Sequence, residues 1–146
     1  MAEALKEALK AAKTGEVPVG AVIVREGGVI ARGYNKKESS LDPTSHAEII
    51  AIRRASRKIK NWRLERATLY VTLEPCLMCM GALVQARVER LVFASFDPKA
   101  GACGSLYDIS GDERLNHRIK VASGVMEKEA TELLKGFFSG LRKGKA

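Results

Sequence analysis

The sequence TLYVTLEPCLMC, residues 68–79, sets an extended run directly before a helix. Thr68–Leu73 is a nearly continuous run of apolar and β-favouring residues, which is typical of a strand buried on both faces. Pro75 fits a first helical position, so the segment Cys76–Arg87 is predicted to be a helix. A buried strand that leads into a helix is the building unit of a layered α/β domain.

The rest of the chain alternates helical and extended patterns around this unit. Further helices are predicted at Ala2–Lys13, about Ser45–Lys60 and Glu127–Arg142, and further strands at Val19–Arg25, Val29–Tyr34, Leu91–Ser95 and Ile119–Val125. The Gly-rich and polar segment Gly101–Asn116 is predicted to be a loop or a short helix. This order favours a single α/β domain over residues 1–146, with helices on both faces of a mixed sheet.

Composition limits the kind of protein. With 146 residues, 46% of them hydrophobic and 29% charged, the chain suits one globular domain and neither a disordered nor a fibrous protein. Its apolar runs are far shorter than the ~20 residues of a membrane span. Three cysteines cannot all pair within one chain, and the spacing of Cys76 and Cys79 is more typical of metal or redox chemistry. We therefore expect a cytoplasmic protein with reduced thiols.

The charge is strongly basic and unevenly distributed. The net charge is +8, and seven bases stand against one acid between Ile50 and Arg66. They are Arg53, Arg54, Arg57, Lys58, Lys60, Arg63 and Arg66. Such an excess indicates a polyanionic partner, although a solvated helix face is the more common outcome for a charge run.

Two predicted helix N-termini carry residues that bind metals. Cys76 and Cys79 are three apart and share a helical face, where two thiolates can hold one Zn²⁺ at ~2.3 Å with a nitrogen of His46 at ~2.1 Å. The positive end of a helix dipole favours the thiolate. Three protein ligands leave a fourth tetrahedral position for water, which is typical of a catalytic zinc.

Glu48 is the candidate acid and base. His46 and Glu48 are two residues apart, about 200° around an ideal helix, so their side chains can converge only at the helix tip. Ser45-His46-Ala47-Glu48 also matches a capping box, in which Glu48 would bond to the backbone of Ser45. Both interpretations of Glu48 remain open at this point.

The joint pattern is more specific than its parts. His46-Ala47-Glu48 precedes Pro75-Cys76-Leu77-Met78-Cys79 by about thirty residues, and this combination is the signature of zinc deaminases that act on nucleobases. One alternative is a structural His/Cys₃ zinc site closed by Cys103, as expected in an RNA-binding module without activity. His117 has no partner motif and is expected to be structural.

At these residues the chain resembles the bacterial tRNA-specific adenosine deaminases of the cytidine deaminase superfamily. The resemblance covers most of the chain. It is carried by EVPVGAVIV from Glu16, DPTSHAEIIAI from Asp42, TLYVTLEPCLMC from Thr68, GACGSLYD from Gly101, LNHR from Leu115 and FFSGLR from Phe137. The last three distinguish it from relatives that deaminate free bases.

The resemblance implies a three-layer α/β/α cytidine-deaminase-like domain with a mixed five-stranded sheet in the order 2-1-3-4-5. It also implies a homodimer with one Zn²⁺ per chain. The reaction it implies converts the wobble adenosine of a tRNA anticodon stem-loop to inosine and releases ammonia, with Glu48 moving protons from water to adenine N1 and to the departing amine. The rival within the same chemistry is a deaminase of free guanine, cytosine or a nucleotide, which would share the zinc residues.

The resemblance also implies contacts with the nucleotide. Asn35 is expected to bond the flipped nucleotide and Val17 to line the base pocket, while Asp97 and Lys99 are expected to contact ribose or backbone. Asn35 could otherwise be a plain turn residue after Tyr34.

Two residues of the closing helix, Phe138 and Arg142, are expected by the same resemblance to touch the anticodon loop. Phe138 could otherwise be a core residue. The chain departs from the family pattern at Cys103, where relatives often have a small residue without a thiol, and at Phe96, where many have a polar one.

Overall fold

The computed structural model describes residues 1–145, except for the side chain of Lys145. Four helices and five strands are assigned in these residues. In chain order they are α1 (Ala2–Lys13), β1 (Gly20–Arg25), β2 (Gly28–Tyr34), α2 (Ala47–Ile59), β3 (Thr68–Leu73), α3 (Leu77–Gln85), β4 (Arg90–Ser95), β5 (Lys120–Ser123) and α4 (Glu127–Lys145). This is the predicted order, and the predicted bounds of α1 and β3 are confirmed.

The strands form one mixed sheet in the order β2-β1-β3-β4-β5, as the resemblance implied. β1 is antiparallel to β2 and β3, whereas β4 is parallel to β3 and β5. Across the centre, Ala21 pairs with Val71 and Val71 with Phe93, and all three residues are buried. The strand of the quoted sequence therefore lies in the middle of the sheet, with its carboxyl end free to carry functional residues.

Alanine faces let two helices approach the sheet closely from opposite sides. Ala4 and Ala8 of α1 and Ala47 and Ala51 of α2 are fully buried. A Cβ at Gly33 of β2 would lie 2.6 Å from the carbonyl oxygen of Ala47, and a Cβ at Gly20 of β1 would collide with the backbone of α1. α3 packs beside α2, and α4 packs on β3 and β4, which completes three layers. The close approach at Gly33 fixes the first turn of α2 against β2.

The beginning of α3 differs from the prediction. The helix starts at Leu77, and Cys76 is its N-cap with extended backbone (φ −76°, ψ 177°), so the assignment of Pro75 to the first helical position is wrong. The reason is a tertiary contact: the amide of Ala102 donates to the carbonyl of Pro75 at 2.8 Å, and Cys76 forms an isolated bridge with Gly101. Contacts with the loop after β4 thus hold Pro75 and Cys76 in extended backbone before the helix begins.

Other boundaries shift by a few residues. α2 begins at Ala47 rather than near Ser45, and β5 covers only Lys120–Ser123 of the predicted Ile119–Val125. The segment Gly101–Asn116 is a loop held by turns and bridges, not a short helix. Within residues 1–145, none of the helices is long and apolar enough to cross a membrane.

Candidate metal centre and substrate cavity

Two helix caps and one first-turn residue converge beside the carboxyl end of β3. His46 is the N-cap of α2 with extended backbone (φ −75°, ψ 153°), Cys76 is the N-cap of α3, and Cys79 lies in the first turn of α3. His46 Nδ1 lies 3.4 Å from Cys79 Sγ and 3.6 Å from Cys76 Sγ. All three potential ligand atoms lie within 4.8 Å of one another, so the group could hold a metal ion.

The spacing of these atoms fits a tetrahedral metal. Metal–sulfur bonds of ~2.3 Å and metal–nitrogen bonds of ~2.0–2.1 Å at a tetrahedral angle place a thiolate sulfur and an imidazole nitrogen about 3.5 Å apart. The two observed separations, 3.4 and 3.6 Å, agree with that value. Because both caps have extended backbone, the side chains reach this arrangement without distorting either helix.

The two thiols influence each other's ionisation. A hydrogen bond from Cys79 lowers the pKa of Cys76 to about 4, with burial opposing and His46 assisting the ionisation. The pKa of Cys79 is raised because Cys76 lies beside it and because it is buried. The hydrogen bond with Cys76 raises the pKa of His46. A cation bound to the pair would favour the thiolate form of both cysteines, because metal binding releases the thiol protons.

Glu48 is a buried carboxyl of the site and not a helix cap. It is the second residue of α2, and only 4% of it is exposed. The amide of Ser45 donates to the carbonyl of Asp42 at 3.1 Å, and the N-cap is His46, so the capping box is not formed. Burial raises the pKa of Glu48 above its usual value, which favours a carboxyl that can carry a proton.

These residues open into a small cavity. It has a volume of about 250 Å³, and its walls include His46, Glu48 and Cys76 as well as Val17 and Asn35. The amide nitrogen of Asn35 donates to the carbonyl of Val17 at 3.4 Å, and its oxygen accepts the amide of Lys37 at 3.2 Å. Asn35 therefore shapes the turn after β2 and lines the cavity at the same time.

A larger groove adjoins the cavity. The groove has a volume of about 550 Å³ and shares Val17, Leu73 and Asp97 with the smaller cavity. Lys99 lies on one wall, and Phe138 and Arg142 lie on the other.

The residues of α4 that line the groove decide whether Phe138 is a core residue, and they include one lining residue that was not predicted. Phe138 is 42% exposed, so it is not a core residue. Lys135 also lines the groove and was missed in the sequence. Lys135 precedes Phe138 by three residues and Arg142 by seven, so all three share one face of a helix. This spacing could have predicted Lys135 as a lining residue.

Glu74 is a second buried carboxyl at the same end of the sheet, and it binds the loop after β4. Its oxygens accept the amides of Asp97 at 3.0 Å, Cys103 at 2.9 Å and Ser105 at 3.0 Å, and also the hydroxyl of Ser105. Burial opposes its ionisation, but these hydrogen bonds outweigh that effect and lower the pKa of Glu74. The amino-acid sequence gives no sign of this role, because the donors are mostly backbone amides.

The Glu74 cluster connects a candidate metal ligand with the wall of the groove. A Cβ at Gly101 would collide with the Glu74 carboxylate, so this position requires glycine. Gly101 in turn bridges Cys76, and its amide donates to the carbonyl of Asp97 at 2.9 Å. The position of Asp97 in the cavity wall therefore depends on the same contacts that hold the start of α3.

The remaining cysteine, which was the alternative fourth ligand, and the remaining histidine lie outside the metal group. Among the described residues the group consists of His46, Cys76 and Cys79, and Cys103 is not part of it. Burial raises the pKa of Cys103 to about 11, and the residue bridges Asp108 instead. His117 Nε2 lies 2.7 Å from the carbonyl of Val88, which agrees with a structural role.

The basic run lies away from the cavity. Arg57 is eleven residues beyond His46 along α2, about 16 Å at 1.5 Å per residue, and is exposed. Arg54 donates to the carbonyl of Arg32 at 2.9 Å, and Arg66 pairs loosely with Glu26 at 3.5 Å. The basic side chains near the site are instead Lys37, which lines the cavity, and Lys99, Lys135 and Arg142, which line the groove.

A mixed sheet with a His/Cys/Cys group and a buried glutamate at helix tips is the arrangement of a nucleobase deaminase. The model of the MafB19-like deaminase family matches residues 1–142. The tRNA-specific adenosine deaminase of Bacillus subtilis is 52% identical over 145 residues, covering 99% of this chain and 90% of the relative. That of Haemophilus influenzae is 47% identical, covering 99% and 84%. The chain belongs to the tRNA-specific adenosine deaminases within the deaminase family.

Solved structures show the same fold. One from a study of A-to-I editing by tRNA:A34 deaminases at the wobble position of transfer RNA has a TM-score of 0.89 and 45% identity, covering 92% of this chain and 97% of that one. A guanine deaminase from Bacillus subtilis has a TM-score of 0.64 and 30% identity, covering 97% and 90%. A guanine deaminase from Nitrosomonas europaea, at 24% identity and a TM-score of 0.78, shares the fold.

Proposed function

We propose that this protein hydrolyses the wobble adenosine of a tRNA anticodon stem-loop to inosine and ammonia. The observation that carries the proposal is the continuity of the small cavity with a groove that presents three bases and an exposed phenylalanine. A free base needs only the cavity, whereas a loop nucleotide brings phosphates and neighbouring bases that need the groove. The relatives at 52% and 47% identity are named tRNA-specific adenosine deaminases.

We further propose that His46, Cys76 and Cys79 hold one Zn²⁺ per chain. Two thiolates and one imidazole in tetrahedral spacing suit zinc, and three protein ligands are typical of its catalytic sites. When bound there, zinc would act as a Lewis acid that activates water for attack on C6 of adenine.

Glu48 is proposed to move the protons of the reaction. Its carboxylate accepts a proton from the attacking water and delivers it to N1 of adenine, which makes C6 more electrophilic. It then takes the proton of the hydroxyl group now on C6 and delivers it to the departing amine, so that the C6–N bond breaks and water and adenosine are converted to inosine and ammonia. The raised pKa of Glu48 suits this exchange, because a carboxyl of ordinary acidity gives up its proton too readily at neutral pH.

The walls of the cavity are proposed to hold the flipped nucleotide. Asn35 bonds it and Val17 contacts the base, since both residues line the cavity beside Glu48. Asp97, at the junction of cavity and groove, and Lys99, in the groove, contact the ribose or backbone.

On the other wall of the groove, Phe138 and Arg142 contact the anticodon loop. These two residues are the part of the site that a free base would leave unused. Their contribution should therefore appear with RNA substrates only.

Incubation with total bacterial tRNA tests the proposed function. Sequencing should locate inosine at the wobble position of the anticodon and at no other adenosine. Wobble adenosines left unchanged, together with rapid release of ammonia from free guanine or cytosine, would instead identify a free-base deaminase.

The zinc proposal has its own test. The purified protein should contain one zinc per chain, and Cys76→Ala or Cys79→Ala should lose it because two ligands cannot complete the site. Cys103→Ser is the matched control and should keep the metal, since Cys103 lies outside the group. A folded Cys103→Ser protein without zinc would contradict this ligand set.

We also propose that the protein is a homodimer. α2 and α3 form a shallow surface depression with partly exposed Ile49 and Ile52 and with Trp62, which is 54% exposed. A second copy would cover this apolar area. Sedimentation should show a dimer that Ile52→Asp converts to a monomer, while Leu9→Asp on the exposed side of α1 leaves it intact. A wild-type protein that sediments as a monomer would contradict the proposal.

Residues 1–146 are proposed to act as one domain in the cytoplasm. Three free cysteines suit a reducing compartment, and the proposed tRNA substrate is found there. Fractionation of cells should recover the protein with the tRNA-containing soluble fraction. Recovery with membranes would contradict this location.

A further inference from the structure

Phe96 is an exposed aromatic residue that is nevertheless held in a defined orientation. It follows Ser95, the last residue of β4, and is 48% exposed. Its ring meets that of Phe93 edge to face, with centroids 5.1 Å apart and an interplanar angle of 88°. On another side lies Gly104, where a Cβ would sit 3.7 Å from the ring. These neighbours orient the ring without covering it.

The exposed ring faces the groove. Phe96 lines it together with Phe138, and each ring packs edge to face on a different neighbour, Phe93 for one and Phe137 for the other. The groove therefore presents two separate aromatic surfaces with Lys99 and Arg142 nearby. Aromatic surfaces flanked by basic side chains are the usual means of binding unpaired nucleotides. The nucleobases stack on the aromatic rings, and the lysine and arginine side chains attract the phosphates.

We propose that Phe96 stacks against the nucleobase next to the target adenosine and so takes part in substrate recognition. The inference rests on the proposed function. When the target base turns into the cavity, its neighbours must lie at the cavity mouth, and Asp97 adjoins Phe96 and lines both spaces. Phe96 therefore lies where a nucleotide that adjoins the reacting base can contact it.

The test combines protein and RNA changes. Phe96→Leu keeps an apolar side chain but removes the flat ring, and should lower kcat/KM for the wobble stem-loop by about 5- to 100-fold, as expected for one stacked base. Most of the effect should be on KM, because stacking binds the ground state as well as the transition state. Phe96→Tyr should restore nearly full activity.

An abasic nucleotide on the 5′ or the 3′ side of the target identifies the partner. At one of the two positions, loss of the base should make the wild type and Phe96→Leu equally efficient. A penalty for Phe96→Leu that is the same on the intact and both abasic stem-loops would overturn the proposal, and so would the absence of any penalty.

Two controls separate the possible failures. Tyr107→Leu removes a 54% exposed ring of the same loop that does not line the groove, and should leave kcat/KM unchanged. An equal loss in Tyr107→Leu would show a general effect of the loop and would overturn the role of Phe96. Failure of the wild type on every wobble stem-loop would instead contradict the proposed function itself.

Discussion

Glu48 and Glu74 are chemically identical, lie at the same end of the sheet, and both have little exposed surface, 4% and 2% of each residue. Burial raises the pKa of Glu48, which lies beside Cys79 and lines the cavity together with His46. Glu74 accepts hydrogen bonds from Asp97, Cys103 and Ser105, and its pKa is lowered.

The comparison shows that burial alone does not decide what a carboxyl does. Removal from water disfavours the charged form of both groups, more strongly at Glu48, and only Glu74 has several donors that outweigh this effect. A carboxylate with several donors is a fixed anion that organises a loop. A carboxyl with few donors and a cavity beside it can exchange a proton with a substrate.

The strongest test of the comparison is Glu48→Gln. Gln keeps the shape but cannot carry the proton, so activity should fall by about 10²- to 10⁴-fold. Zinc content and RNA affinity should not change, and the free energy of unfolding should stay the same or rise, because a buried ionisable group is replaced by a neutral one. Near-normal turnover would remove Glu48 from the mechanism.

Glu74→Gln should have the opposite effect on stability. The Gln amide group would face N–H donors and leave at least one unsatisfied, which lowers the free energy of unfolding by about 2–3 kcal/mol. Denaturant unfolding of both Gln variants measures the contrast. Equal stability of the two variants would show that the donors around Glu74 do not distinguish it from Glu48.

Gly101→Ala probes the same cluster from the side of the loop. The added Cβ would meet the Glu74 carboxylate, and the resulting strain should cost about 1–3 kcal/mol. Gly111→Ala is the matched control, because nothing lies within 4 Å of its Cβ position. Similar unfolding midpoints for the two variants would be inconsistent with close packing at Gly101.

Glu16 extends the comparison to a third buried carboxyl and should show the smallest effect. Burial opposes its ionisation, but the amides of Ser39 at 2.7 Å and Glu38 at 3.0 Å outweigh burial and hold the pKa of Glu16 below 4.5. Its stabilising contribution is therefore complete above pH 4.5 and is lost as the pH falls below that value.

The matched variant for Glu16 is Glu16→Gln. The difference in unfolding free energy between wild type and variant should shrink from neutral pH to about pH 3. A difference that is independent of pH would show that Glu16 acts through its shape and not its charge.

The contrast between these carboxyls also marks how far the sequence could predict the molecule. Periodicity was sufficient for Ala2–Lys13 and Thr68–Leu73, where burial on a regular face decides the structure. It failed at Pro75, because the loop after β4 holds that residue in extended backbone. Local patterns contain no information about such a contact.

The same limit applies to the candidate site. The sequence spacing indicated His46, Cys76 and Cys79 because histidine and cysteine are residue types that bind zinc. Glu74 could not be found in this way, since its partners are mostly backbone amides that any sequence would supply. Whether Ser45 and Glu48 formed a capping box was likewise undecidable until the extended backbone of His46 was seen.

The most direct test of the whole account is kcat/KM for a wobble-adenosine stem-loop and for free adenosine, guanine and cytosine, at low and moderate salt. The stem-loop should be strongly preferred. A plot of log affinity against log salt concentration should have a slope of roughly −0.7 per contacted phosphate. Arg142→Ala should flatten that slope by less than about one unit and leave zinc in place. Comparable efficiency on a free base, or stem-loop binding that is insensitive to salt, would contradict the account.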